Sequence, residues 1–166
     1  PVDVMKAHLK RAERANPDIN ALFSLRAESA LKQARASQDR WVRNAPQGPL
    51  DGVPVLLKDS IKCIGFDYFH GSAGYLGTPA TEDAIPAARV KEAGGIIFAK
   101  TTMPDFGMLA AGVSSQFGVV RNPWNPQTNP GGSSAGSGAA VAAGIAPLAV
   151  GTDIAGSVRL PAAQNG

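Results

Sequence analysis

Asp83-Ala84-Ile85-Pro86-Ala87-Ala88-Arg89-Val90-Lys91-Glu92-Ala93-Gly94-Gly95-Ile96-Ile97-Phe98-Ala99 is the stretch whose reading decides the fold. Asp83 is placed to cap a helix over residues 84–93. Pro86 falls in its first turn, where a missing N–H removes no helical hydrogen bond. Gly94-Gly95 ends the helix, and residues 96–99 form an apolar run of the length of a buried strand. A similar run lies upstream at 53–57 and ends on Lys58. Strand, helix and strand in alternation predict an α/β sheet protein.

Outward from this unit the pattern is helical towards the N-terminus. Val2, Met5, Ala7, Leu9 and Ala12 follow a period near 3.6, which predicts a helix over 2–15 stopped by Asn16-Pro17. A second helix is expected over about 26–42, followed by a Pro/Gly loop over 44–52. Towards the C-terminus the chain becomes turn-dense at Asn122-Pro123-Trp124-Asn125-Pro126 and Asn129-Pro130-Gly131-Gly132. An alanine-rich run over 139–145 then predicts a buried helix, and residues 146–150 predict another strand.

Composition limits the function classes. Net charge is +3, and 44% of the residues are hydrophobic against 17% charged. Residues 1–43 hold nine Lys/Arg and five Asp/Glu, but the two signs alternate along helical patterns. That arrangement predicts solvated helix faces rather than a nucleic-acid surface. One cysteine, Cys63, excludes an intramolecular disulfide, and with only His8 and His70 it leaves little to hold a metal. No apolar stretch has the length of a membrane span. The sequence opens on Pro1 and stops at Gly166 just after its densest motifs, so further parts of the domain are expected outside it.

Three features could carry chemistry. The Gly/Ser turn over 131–138 completes neither a phosphate loop, which needs a following Lys, nor a dinucleotide fingerprint, whose third Gly is missing. Gly132-Ser133-Ser134-Ala135-Gly136 matches the G-x-S-x-G elbow with Ser134 as nucleophile, yet both histidines precede it. Lys58 closes an apolar run that should bury its stem, and a buried lysine can be neutral and act as a base. A strand-end lysine can equally reach out to solvent. Beyond the strand ending at Val150, the turn 151–159 could aim successive N–H groups at one point. It could equally be a helix N-terminal loop capped by Ser157. The residues alone leave these alternatives open.

Taken together, Gly131-Gly132-Ser133-Ser134-Ala135-Gly136-Ser137 and Gly151-Thr152-Asp153-Ile154-Ala155-Gly156-Ser157-Val158-Arg159-Leu160-Pro161 resemble the core of the amidase signature family of serine hydrolases. Gly52 to Asp59, Ala93 to Phe106, Asn122 to Asn125 and Asn16 to Ala21 resemble its other blocks. Lys58 precedes Ser133 by 75 residues and Ser133 precedes Ser157 by 24, both spacings typical of the family.

The resemblance implies a Ser–cis-Ser–Lys triad. Ser157 would attack an amide carbonyl, Ser133 would relay the proton across a cis peptide bond, and Lys58 would be the terminal base. The N–H groups of Ile154, Ala155, Gly156 and Ser157 would form the oxyanion hole, with Ser134, Thr152, Asp153 and Arg159 as supports. Ala135 and Ala155 stand where the family most often has glycine, and a positive φ at Ala155 would strain its Cβ.

The implied architecture is a three-layer α/β/α amidase signature fold with a mixed central sheet, incomplete in this chain. Residues 1–166 are expected to be the N-terminal portion of one domain, with a helical segment over about 1–45 and a catalytic core from about 50 onward. The implied activity is hydrolysis of a small-molecule amide through an acyl-enzyme on Ser157, with no cofactor, no metal and no direct nucleic-acid contact. A cytoplasmic location is expected, and a homodimer is one assembly the resemblance allows. Two alternatives remain: the glutamine-hydrolysing subunit of a tRNA-dependent amidotransferase, and an inactive or binding-only relative.

Overall fold

The computed structural model describes residues 1–166 as thirteen helices and strands. In chain order these are α1 (Val2–Ile19), β1 (Leu22–Phe23), α2 (Ala27–Val42), β2 (Pro54–Lys58), β3 (Asp67–Tyr68), β4 (Thr78–Pro79) and α3 (Ile85–Glu92). There follow β5 (Ile96–Thr101), β6 (Val113–Ser114), β7 (Gly118–Val119), α4 (Ala135–Ala142), β8 (Leu148–Val150) and α5 (Arg159–Asn165). A single 3₁₀ turn spans Asp105–Gly107.

The main sheet has the order β1-β5-β2-β8. β2 runs parallel to both β5 and β8, while β1 is antiparallel to β5, so the sheet is mixed. Helices cover both faces. Met5, Leu9 and Ala12 of α1, Ala30 and Ala34 of α2, and Ala135, Ala139 and Ala140 of α4 pack with Leu56 and Phe98 on one face. Ala87 and Val90 of α3 pack with Val55, Leu57 and Ile97 on the other. The result is the expected three-layer α/β/α arrangement. No helix is long and apolar enough to cross a membrane.

Several boundaries differ from the sequence reading. α1 continues through Asn16-Pro17 to Ile19. Buried Ile19 draws the last turn onto the core, and Asn20, left-handed at φ 52°, closes the helix by donating its N–H to the Asn16 carbonyl. Asp83 does not cap α3, whose N-cap is Ala84. Its carboxylate instead accepts the Ile64 N–H and the Lys91 ammonium. α4 begins at Ala135, four residues earlier than expected, because its Gly/Ser turn is itself helical. Small residues allow that close approach: a Cβ on Gly136 would lie 2.3 Å from the Ala21 carbonyl oxygen. β5 extends two residues further, to Lys100 and Thr101, both fully buried.

Candidate active site

Three chain segments converge where β2, β8 and the N-terminus of α4 meet. The first is the end of β2. Alternation along the strand sends Leu57 to the α3 face and Lys58 to the α4 face. Lys58 is 1% exposed, and its Nζ donates to Ser133 Oγ at 2.8 Å and to Thr152 Oγ1 at 2.8 Å. Burial lowers its pKa to about 8, opposed by the negative charges of Asp153 and Asp59. A large share of the side chain is therefore neutral at mildly alkaline pH, the form that accepts a proton.

The second segment is the turn into α4. The Gly132–Ser133 peptide bond is cis. Ser133 is 3% and Ser134 2% exposed, so both hydroxyls belong to the interior rather than to a solvated cap. Ser134 Oγ donates to the Thr152 carbonyl and accepts the Thr152 N–H, each at 3.3 Å. A Cβ on Gly151 would lie 2.6 Å from Ser134 Oγ, so glycine is what lets the β8 exit lie against this serine.

The third segment is the turn after β8. Asp153 organises it by accepting the N–H groups of Gly156 (2.7 Å), Val158 (3.0 Å) and Arg159 (3.1 Å). It also takes a two-pronged contact from the Arg159 guanidinium, at 3.1 Å from Nε and 2.9 Å from Nη2. Arg159 first, and then the Val158 and Gly156 N–H groups, hold the Asp153 carboxyl far below the usual carboxylate range. The Ser157 carbonyl accepts the Ser134 N–H at 3.0 Å, which ties the turn to the serine loop. Ser157 is half-buried, and no hydrogen bond joins its hydroxyl to Ser133.

The expected set of four turn donors needs one correction. Gly156 N–H is committed to Asp153, so it does not point freely into the site. The N–H groups of Ile154, Ala155 and Ser157 have no hydrogen-bond partner. Positive φ falls on Gly156, at 109°, and not on Ala155, so the Cβ of Ala155 carries no strain.

Lys58, Ser133, Ser134, Thr152, Asp153, Ser157 and Arg159 thus lie in one continuous network. A cavity of about 490 Å³ lies among Ser134, Ser137, Gly151, Val158, Pro161 and Asn165, and is not lined by Lys58, Ser133 or Ser157. The hydrogen-bonded cluster, and not this cavity, brings Lys58, Ser133 and Thr152 together. Sequence reasoning missed four buried polar residues around it. Thr101 Oγ1 and Ser137 Oγ bond at 2.7 Å beside Lys58. Asp59 and Lys100 are 0% exposed on the far side of the strand ends. For Asp59, Lys100 and Thr101 the available signal was the polar residues that follow each apolar run; Ser137, inside the Gly/Ser turn, offered no such signal.

The same sequence, compared with known proteins, matches the family model described as Amidase over residues 3–166. The chain belongs to the amidase family. Among curated relatives it is 43% identical to the A subunit of glutamyl-tRNA(Gln) amidotransferase from Acidothermus cellulolyticus, over 99% of this chain and 32% of that protein. The corresponding protein of Symbiobacterium thermophilum is 40% identical, over 99% of this chain and 34% of that one. The chain therefore spans about a third of the length of the curated relatives it matches. Among solved structures, a crystal structure of an amidase superposes with a TM-score of 0.93 at 39% identity, covering all of this chain and 38% of the other. The peptide amidase of Stenotrophomonas maltophilia superposes at 0.92 with 33% identity, covering 99% of this chain and 35% of that one.

Proposed function

We propose that this chain carries the catalytic centre of an enzyme that hydrolyses a small-molecule amide through an acyl-enzyme on Ser157. The observation that carries the reading is Lys58: a fully buried lysine, with its pKa lowered to about 8, bonded to Ser133 Oγ. Lys100 is as deeply buried and its pKa is likewise lowered to about 8, but it donates to the Ile61 carbonyl; the bond to a serine hydroxyl is what distinguishes Lys58.

In this reading Ser157 Oγ attacks the carbonyl carbon, and its proton passes through Ser133 Oγ to neutral Lys58 Nζ. Serine alone is a poor nucleophile at neutral pH and needs such a base. The Ser157 hydroxyl closes onto Ser133 when substrate binds, since catalytic hydrogen bonds are often long in unliganded enzymes. Charge building on the carbonyl oxygen meets the free N–H groups of Ile154, Ala155 and Ser157, fixed dipoles that need no reorganisation. The Lys58 proton then returns through Ser133 to the leaving amine as the C–N bond breaks. Water repeats the sequence to release the acid. Thr152 orients Lys58, Ser134 ties the two loops, and Asp153 with Arg159 shapes the turn. Residues 1–45 are mostly helical but also supply the edge strand β1 to the sheet, and the catalytic core proper starts near residue 50.

The amidotransferase proteins among the relatives favour a second reading, in which glutamine is the amide and its ammonia passes to an acceptor within a complex. A glutaminase assay with and without a tRNA-charging partner separates the two. Fluorophosphonate labelling tests the mechanism they share: Ser157→Ala should abolish both turnover and labelling. Label appearing on another serine in wild type would sink the assignment.

A further inference from the structure

Asp59, next to Lys58, takes no part in the mechanism above, yet it is completely buried. A buried carboxylate is costly unless its oxygens are hydrogen-bonded. Both oxygens are: Oδ1 accepts the Phe69 N–H at 2.8 Å and Oδ2 accepts the Gly71 N–H at 2.6 Å. One side chain at the exit of β2 thus pins the loop 69–71.

That loop is a junction. The Gly71 carbonyl accepts Ser114 Oγ at 2.5 Å, and the His70 carbonyl accepts the Phe106 N–H at 2.7 Å. Gly71, at φ 70°, lies so close to the 103–104 backbone that a Cβ there would sit 2.3 Å from the Met103 carbonyl oxygen. The segment 104–107 in turn faces the site, since a Cβ on Gly107 would lie 3.2 Å from Ser133 Oγ. A continuous path therefore runs from the Asp59 carboxylate through 69–71 and 104–107 to the serine that bonds Lys58.

We propose that Asp59 is a positioning residue of the active site: it fixes the 104–107 wall against Ser133, and its charge acts on its neighbour Lys58. The kinetic half of this inference rests on the amide-hydrolase reading; the structural half does not. The charged groups that bear on Lys58 are Asp59 from the end of β2 and Asp153 from the turn after β8. α4 offers it only the Ser133 hydroxyl, and β5 turns Thr101 towards its side of the sheet. Lys100 and His70 bear on Asp59 itself, with Lys100 held on the opposite sheet face by the Ile61 carbonyl. Loss of the Asp59 charge makes Lys58 easier to deprotonate.

The test uses the full chain with Asp59→Asn. The amide side chain keeps the size but cannot accept both N–H groups. Amide exchange should quicken over 104–108 while β2 and β5 stay protected. kcat should fall on the order of 100-fold, the cost of an active-site displacement near 1 Å. The acid limb of the pH–rate profile should move to lower pH. Ser114→Ala provides a second variant that removes one uncharged anchor of Gly71; it should loosen 104–108 while leaving the limb in place. Unchanged exchange over 104–108 in both variants overturns the positioning role. A uniform loss of rate with an unmoved limb in Asp59→Asn overturns the charge effect. Fluorophosphonate label on a serine other than Ser157 would sink the proposed mechanism instead, and the exchange data would still decide Asp59.

Discussion

The end of β2 and the turn after β8 meet at one site but are built in opposite ways. Lys58 is reached by a strand with hydrogen-bonded neighbours on both sides, and every residue of that strand is buried. The turn carrying Ser157 has no sheet partner, and residues 152–155 are exposed, Ile154 at 99%. In the proposed mechanism the difference follows from what each group must do. A lysine becomes a base near neutral pH only if burial lowers its pKa, and burial needs a rigid, dry strand end. A nucleophile must meet substrate, so it stands on an accessible loop, and here one carboxylate holds that loop in shape.

The largest expected effect breaks the buried side. If the proposed mechanism holds, Lys58→Ala removes its general base, and turnover should fall by about 10² to 10⁴ at pH 7. The pH dependence gives the sign. Activity needs neutral Lys58, so the wild-type rate should rise as pH climbs through about 8. The variant should lose that inflection, and its deficit should narrow at alkaline pH as hydroxide takes over. A deficit that stays constant across the neutral and alkaline range would make Lys58 a structural lysine.

A smaller effect tests the exposed side. Asp153→Ala frees the Gly156, Val158 and Arg159 N–H groups at once. The turn loses its template, and kcat should fall on the order of 100-fold, with the melting temperature barely changed because the turn is exposed. The charge change adds a distinguishing sign. Asp153 favours protonated Lys58, so its loss should shift the acid limb of the rate profile downward. A large drop in melting temperature would show that the turn supports the fold as well as the site.

The two regions also differ in how well the sequence reveals them. The strands at 53–57 and 96–99 are legible because both faces are covered by helices, which demands a continuous apolar run. Lys58 and Ser133 are far apart in sequence; the residues alone do not pair them, and the resemblance pairs them as the fold does. What escapes is set by tertiary contact. The early start of α4 depends on Gly136 lying against Ala21, a distance no local pattern encodes. Asp83 looks like a cap because its partners, Ile64 and Lys91, come from other parts of the fold and from the far end of α3. The Gly156 N–H looks free because the sequence does not reveal which way Asp153 turns.

The smallest effect separates Arg159 from the carboxylate it serves. Its guanidinium meets Asp153 with two nitrogens, yet the side chain is 75% exposed, so water and salt screen the pair. Arg159→Lys keeps the charge and loses the planar fork, while all three backbone N–H groups still reach Asp153. The turn should therefore persist, and kcat/KM should drop no more than about fivefold, the ceiling for an exposed pair. High salt should weaken wild type and variant alike, since each keeps a screened charge pair with Asp153, and should leave the gap between them, which reports the fork geometry, nearly unchanged. A loss as large as that of Asp153→Ala would mean that the fork, and not the three N–H groups, sets the shape of the turn. The exposed half of the site would then depend on one solvent-facing side chain rather than on its own backbone.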